Sequence, residues 1–510
     1  MKNRFGQSLF VPWFFAVVGM LLVAPTYLAG QGPSEVVEHP DGSFEFFDGR
    51  VTPPMPELLS LREQYEIRLE WLETKHELLL PMMRSHNISM WIIVNHEFAN
   101  DPMTQYVAPK LEYPQRRSVK VFVDGGDEGL KRYSDYWRPT SDYERFFVSF
   151  SSLGDLEGSD LTAAGLRALF DRYDPQTIGL NSDVGTSCLE TTQVACGRGQ
   201  SSGLSYDGFR YLEDSMGPEA ERRFVSAAGL VQEYSDTRLP EELEHNRDLF
   251  IVTDIFAQRT MSNEVITPGV TTIADVKWWF EHQVAELGVG AETWFEVHAA
   301  VQRFDAATGE MIDYIHPGPE EYVFQRGDII HMDWGFNYMG FASDWQKVAY
   351  ILREGEDDVP EGLKAALANA NVVHEAFASE VRPGMTGWKA TLAVASRLED
   401  TPFVPSIYTH PIGYQGHALG PSIRARAVDA SVQTGTGPAD ISATMDLSSP
   451  FERDTPLLRG SYRSIEFSVS TPVPEFNNGM VAIAMEDGAY LTDEGYRYFS
   501  PYQTEWYIIR

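Results

Sequence analysis

The stretch from Gly327 to Tyr350, GDIIHMDWGFNYMGFASDWQKVAY, constrains this chain more than any other. It reads as two apolar strands joined by a turn over residues 337–340. Asp333 closes the run Ile329-Ile330-His331-Met332, and Asp344 precedes Val348-Ala349-Tyr350-Ile351. Such a hairpin is expected to set the two aspartates, eleven residues apart, opposite one another. Two carboxylates at the centre of an apolar hairpin destabilise it unless a cation, a proton or a donor network neutralises them. A metal ion is the simplest of the three. An aspartate pair also serves as a turn cap or a surface pair, so a metal reading needs further ligands.

Three such residues lie downstream in apolar or glycine-flanked settings. They are His417 in Gly416-His417-Ala418-Leu419-Gly420, Glu466 in Ser464-Ile465-Glu466-Phe467-Ser468-Val469, and Glu486 at the end of Val481-Ala482-Ile483-Ala484-Met485-Glu486. Both glutamates sit in strand-like runs. Two Asp, one His and two Glu form an oxygen-rich set that suits a pair of bridged divalent ions, with manganese, cobalt, iron or zinc all compatible.

With these residues in place the chain resembles the pita-bread metallopeptidases, which include aminopeptidase P, prolidase and methionine aminopeptidase. The order Asp, Asp, His, Glu, Glu matches, as do the eleven-residue spacing, the Asp-x-Gly at Asp333 and the Ser343-Asp344 pair. The resemblance covers residues 240–510, and the region before it more loosely resembles the amino-terminal domain of the aminopeptidase P and prolidase branch. It implies an α/β (α+β) chain: an amino-terminal α/β domain, then a pita-bread catalytic domain with pseudo-twofold duplicated halves. It also implies two divalent ions, Mn2+ foremost, with Zn2+, Co2+ or Fe2+ as alternatives. Asp344 and Glu486 would bridge them, Asp333 would hold one, and His417 with Glu466 the other. A hydroxide bridging the ions would attack the peptide bond, and Glu466 would carry its proton to the leaving amine.

His316 matches the place of the family's substrate-side histidine; the alternative is a loop histidine ahead of Pro317. His410 resembles a second family histidine, although it precedes His417 by seven residues where a shorter gap is usual. His298 and His331 read as structural. The chain departs from the family twice: Arg424 stands where a further histidine is usual, and Trp345-Gln346-Lys347 replaces a Thr-Arg pair. Arginine stays charged and can only donate, so Arg424 would stabilise an oxyanion or hold a substrate carboxylate. The resemblance implies an Xaa-Pro aminopeptidase or dipeptidase acting on short peptides with proline at the second position, as a homodimer. A lyase or another amide hydrolase on the same site is the alternative, as is a non-catalytic binding protein, which would be expected to lack some ligands.

A chain of 510 residues exceeds what one core serves, so two domains are expected. The net charge of −34 disfavours nucleic acid and anionic membranes as partners. Lys2 and Arg4 followed by the apolar run from Leu9 to Ala24 form a signal-peptide pattern, which predicts export to the periplasm or medium, or a membrane anchor if uncleaved. The two cysteines, Cys188 and Cys196, could close a small disulfide loop in an exported protein.

The expected organisation is a signal over 1–30, a flexible terminus over 31–54, an amino-terminal domain over 55–238 and a catalytic domain over 239–510. Helical periodicity spans Pro56 to Arg84, with Pro81 marking its end or a kink. Strand-like runs follow at Met90 to Val94, Val119 to Val123, Phe146 to Phe150 and Ile178 to Leu180. This domain supplies no ligand cluster and is expected to shape the cleft or a dimer; His86, His96 and Asp101 read as surface or cap residues. Beyond the boundary near Thr237-Arg238-Leu239-Pro240, a helix is expected from Glu241 to Gln258. Pro268-Gly269-Val270-Thr271 is then echoed by Pro383-Gly384-Met385-Thr386, a sign of duplication in which each Pro-Gly turns the chain and each threonine can cap a helix. Residues 424–463 read as an inserted surface loop.

Overall fold

The computed structural model describes residues 36–109, 113–182, 202–294, 297–314, 318–414, 416–426 and 455–510. The signal segment, both cysteines, His316 and residues 427–454 lie outside the described residues.

The first sheet has six strands in the order Val148–Ser149, Leu130–Ser134, Arg117–Asp124, Met90–His96, Ile178–Leu180, Phe224–Ser226. Its central strand reads as a continuous apolar run because both faces are covered. Trp91 and Ile93 pack in one cluster with Leu72, Leu79 and Met83 of the Leu61–Ser85 helix. Met90, Ile92 and Val94 pack on the other side with Leu166 and Leu169 of the Leu161–Tyr173 helix.

Several expectations change here. The long helix starts at Leu61, not Pro56, because Ser60 and Glu63 form a reciprocal cap. It runs through Pro81 to Ser85; Glu77 and Pro81 both lie on the exposed side, where water can serve the carbonyl that proline leaves without a donor. Residues 146–150 are not one strand. Thr140 caps a helix over Ser141–Phe146, which buries Tyr143 and Phe146 three apart, and only Val148–Ser149 pairs in the sheet. Asp101 is buried, accepting from Met103 N at 2.9 Å and from Asn181 Nδ2 at 3.0 Å; burial pushes its carboxyl up to about 7. The described part of the supposed flexible terminus is folded. Val36–Glu38 and Phe44–Phe46 pair, and Phe44 and Phe46, two apart on one face, enter the core beneath the Pro240–Thr260 helix. Arg259 lies 4.3 Å over the Phe44 ring.

The second sheet has eleven strands among the described residues. Its main path is Glu310–Tyr314, His298–Asp305, Asp328–Trp334, Trp345–Ile351, Gly479–Thr492, Tyr462–Val473, Val404–Gly413, Gly416–His417. Helices Pro240–Thr260 and Ile273–Leu287 cover the first half, burying Ile330, Met332 and Trp334 and leaving His331 and Asp333 on the other face. Helices Glu361–Glu380 and Gly387–Arg397 cover the second half, burying Ile465, Phe467, Ile483 and Met485 and leaving Glu466 and Glu486 on the other face. The Pro-Gly echo is a structural repeat. Gly269 N donates to Phe324 O at 2.7 Å and Gly384 N to Leu457 O at 2.9 Å, and both glycines have positive φ. The capping threonines are Thr272 and Thr386, so the first cap lies one residue beyond the expected Thr271. The expected surface loop also changes at both ends: Arg424–Arg426 is a strand paired to the Val404–Gly413 strand, and Tyr462 and Arg463 are buried in the sheet.

Phe46→Ala is expected to destabilise the protein by about 3 kcal/mol, since it empties a buried aromatic site. The midpoint of chemical denaturation measures this, and a change below about 0.5 kcal/mol, the size of a surface substitution, would mean that the hairpin is not part of the core.

Candidate metal centre

The site is a row of cross-strand neighbours. Successive backbone pairings run His298 to Asp333, Asp333 to Gln346, Gln346 to Glu486, Glu486 to Glu466, Glu466 to Tyr408, and Tyr408 to Arg424. Directly paired residues share a face of a sheet, so the row presents its side chains together. Residues two further along the same strands form a second row, which brings Asp344, Ser464 and His410 to that face. The expected opposition of Asp333 and Asp344 is therefore corrected: Asp333 faces Gln346, and Asp344 lies just before the Trp345–Ile351 strand.

Local sequence explains this geometry. Gly335 follows Asp333 by two because the Ser343 carbonyl passes over it; a Cβ there would lie 1.9 Å from Ser343 O. Trp294 Nε1 donates to that carbonyl at 2.8 Å, and Ser343 N donates to Phe336 O at 2.9 Å, which fixes the backbone entering Asp344. Gly416, at φ +72°, lies against the Trp294 ring with no room for a Cβ.

Ligand atoms of Asp333, Asp344 and Glu486 lie within 4.8 Å of one another, as do those of His410, Glu466 and Glu486, and those of Asp344, His410 and His417. All five expected metal residues are thus near one another, with His410 among them. The two histidines are placed differently. His410 is buried, its Nε2 3.5 Å from Asp344 Oδ2, 3.4 Å from Glu466 Oε1 and 3.8 Å from Glu486 Oε1. His417 is exposed and stacks on His410 with ring centroids 3.8 Å apart. In these three groups it is His410, rather than the expected His417, that accompanies Glu466, because the Gly416–His417 strand folds back on Ile412 and leaves His417 at the rim. Arg424 is exposed at the end of the row, its guanidinium 4.5 Å over the Tyr408 ring.

Burial raises the carboxyl groups of Asp333, Asp344 and Glu466 well above their usual range, and the neighbouring carboxylates raise them further. Burial raises Glu486 as well, to about 7, against the hydrogen bonds it accepts from Ser464 and Gln346. The buried ammonium of Lys347 does not neutralise this cluster. It pairs with Asp487, whose other oxygen lies 3.1 Å from His374 Nε2. Four carboxylates with two imidazoles close by fit hard or borderline divalent cations, and two such ions would balance the four negative charges.

Sequence reasoning missed Tyr408 and the role of Gln346. The period-two spacing of Tyr408 and His410 was the available signal, but pairing across strands is needed to read it. The amino-terminal domain also reaches the site: Tyr414 N, in the turn between the two histidines, donates to Tyr106 Oη at 2.9 Å, and Arg68 lies 5.0 Å over the Tyr414 ring.

Residues 247–493 match the sequence profile of metallopeptidase family M24. The carboxy-terminal domain is that of a family M24 metallopeptidase. No curated protein sequence matches the chain. The fold is similar to that of an X-Pro aminopeptidase from Thermotoga maritima MSB8, with TM-score 0.55 and 17% identity over 84% of this chain and 99% of that one. It is equally similar to an Xaa-Pro dipeptidase from Bacillus anthracis, with TM-score 0.55 and 14% identity over 86% of this chain and 100% of that one. A dipeptidase from Pyrococcus horikoshii OT3 follows, with TM-score 0.51 and 15% identity over 86% and 100%. The M24 domain thus has the pita-bread fold and follows an amino-terminal α/β domain.

The raised carboxyl groups set the pH dependence of the metal-free M24 protein. Folded, they keep protons that the unfolded chain loses near pH 4, so they cost stability as pH rises above that range, Glu486 doing so up to about 7. Saturating Mn2+ would replace those protons if the cluster is the cation site. The Tm difference between Mn2+-saturated and metal-free protein is expected to widen from pH 5 to pH 8 by differential scanning calorimetry. A constant or shrinking difference would count against the cluster as the cation site.

Proposed function

We propose that this protein is an exopeptidase that uses two divalent cations, Mn2+ foremost, to hydrolyse short peptides with proline at the second position. The carrying observation is the row of half-buried Asp333, buried Glu486 and half-buried Glu466 with buried Asp344 beside it, four carboxylates that no lysine or arginine among the described residues pairs with. The likeness in fold to an X-Pro aminopeptidase and an Xaa-Pro dipeptidase supports the Xaa-Pro preference, and the presence of every expected carboxylate favours catalysis over a binding role. What bound cations would supply is Lewis acidity, which yields a nucleophile from water at neutral pH and polarises the scissile carbonyl.

The chain's own residues divide the remaining work. Asp344 and Glu486, the most buried carboxylates, suit the shared position between two ions. Glu466 is less enclosed and faces the cleft, which suits it to take a proton from the attacking water and return it to the leaving amine. His410 Nε2, within reach of Asp344 and Glu466, suits either ligation or a hydrogen bond to the developing oxyanion. His417 and Trp294, with ring centroids 6.1 Å apart, would line the cleft mouth. Export and a homodimer belong to the same proposal, to be tested by the mass of the mature chain and by light scattering.

Elemental analysis is expected to find two divalent ions per chain, with both lost in Asp344→Ala and Glu486→Ala, and Mn2+-dependent release of the first residue from Xaa-Pro peptides. Metal-bound protein that leaves such peptides intact would remove the Xaa-Pro assignment. Arg424 tests the substrate's far end. If it holds a free carboxylate, Arg424→Ala should lower kcat/KM roughly tenfold or more for a dipeptide acid, the value of a charged hydrogen bond, and far less for the dipeptide amide. Equal losses would point instead to stabilisation of the transition state.

A further inference from the structure

The two halves of the catalytic sheet meet at a single backbone register pair, Gln346 with Glu486. Among the side-chain links that cross this seam, two come from successive residues, which point to opposite faces of the strand. Lys347 reaches Asp487 on the face away from the site. Gln346 works on the site face. Its Nε2 lies 2.8 Å from Glu486 Oε2 and 3.0 Å from Glu466 Oε2, so one amide group spends both hydrogens on the two glutamates. Its Oε1 lies 2.9 Å from His331 Nε2.

We propose that Gln346 is the positioning residue of this centre, holding Glu466 and Glu486 in ligating conformation across the seam, and that His331 sets which way its amide faces. The inference rests on the reading of the site as a divalent-cation centre. An ionised carboxylate can only accept, so the amide must turn its NH2 towards both glutamates; the reverse orientation would set Oε1 against two anions. That leaves Oε1 facing His331, whose Nε2 must then carry a hydrogen, since an amide oxygen can only accept. Each glutamate gives Oε2 to the amide and keeps Oε1 directed at His410 and the second row. Without the amide, Glu466 would lose this hydrogen bond and Glu486 would keep the one from Ser464, so the two neighbouring glutamates of like charge would no longer be tied to one donor. His331 is thus more than the structural histidine expected from sequence, and Gln346 gives the departure from the Thr-Arg pair a purpose.

The test titrates Mn2+ into metal-free protein by calorimetry, for the natural chain and for Gln346→Met, which keeps the length of the side chain and cannot donate. Loss of a supporting hydrogen bond to metal ligands is expected to weaken Mn2+ affinity roughly 10–100-fold, with the metal-free Tm little changed. The electron paramagnetic resonance of the variant should show isolated Mn2+ where the natural chain shows a coupled pair. His331→Leu should weaken binding to a smaller extent, and should change nothing further in the Gln346→Met background. Gln346→Asn, whose shortened arm withdraws the amide from both carboxylates, should also lose affinity and replaces the Met variant if that chain does not fold. Natural-strength Mn2+ binding in either Gln346 variant would overturn the role of Gln346 while leaving the metal site standing. Additive effects of the His331 and Gln346 changes would overturn the part given to His331. A natural chain that takes up no Mn2+ would overturn the site reading and this inference together.

Discussion

Mutual repulsion among Asp333, Asp344, Glu466 and Glu486, taken out of water on one sheet face, is the interaction on which the rest of the structure depends. Like charges at such range cannot all ionise in a buried setting without counter-charge. Among the described residues no lysine or arginine pairs with them: Lys347 is committed to Asp487 on the other face, and Arg424 stands at the exposed end of the row. The site therefore answers to protons when metal-free and to divalent ions when loaded, and the fold must hold four ligands in place through both conditions.

Rigidity on the far side of the sheet meets that demand. Each half carries its own pair of helices and its own apolar layer, so every site strand is buried on one face by residues that alternate with the ligands. Trp334 and Trp345, paired across the hairpin with ring centroids 4.8 Å apart, flank Asp333 and Asp344 and keep the two strands from sliding. The candidate ligands come from both halves, two aspartates from the first and two glutamates with His410 from the second. The centre is complete only when the halves meet along the seam.

The amino-terminal domain adds a constraint that belongs to neither half. Tyr106 and Arg68 hold Tyr414, and Arg238, from the connection between the domains, donates to Ile412 O at 3.0 Å. These contacts converge on the turn between His410 and His417, so the first domain helps to place the histidines although none of its described residues belongs to the ligand groups.

The carboxylates were legible from sequence alone because each interrupts an apolar run, and burial of a charge in such a run needs a reason that chemistry can supply. The helix over Pro240–Thr260 and the repeat turns at Gly269 and Gly384 were likewise marked by periodicity, proline and glycine. Pairing between distant strands is not written in any local pattern. That Asp333 faces Gln346 rather than Asp344, that His410 comes beside both glutamates, and that Phe44 and Phe46 belong to the core of the carboxy-terminal domain all follow from register and packing across long separations. Gln346 shows the difference most clearly. In the sequence it is an uncharged residue after a tryptophan, and only the meeting of two strands 140 residues apart turns its amide into a clamp on two anions.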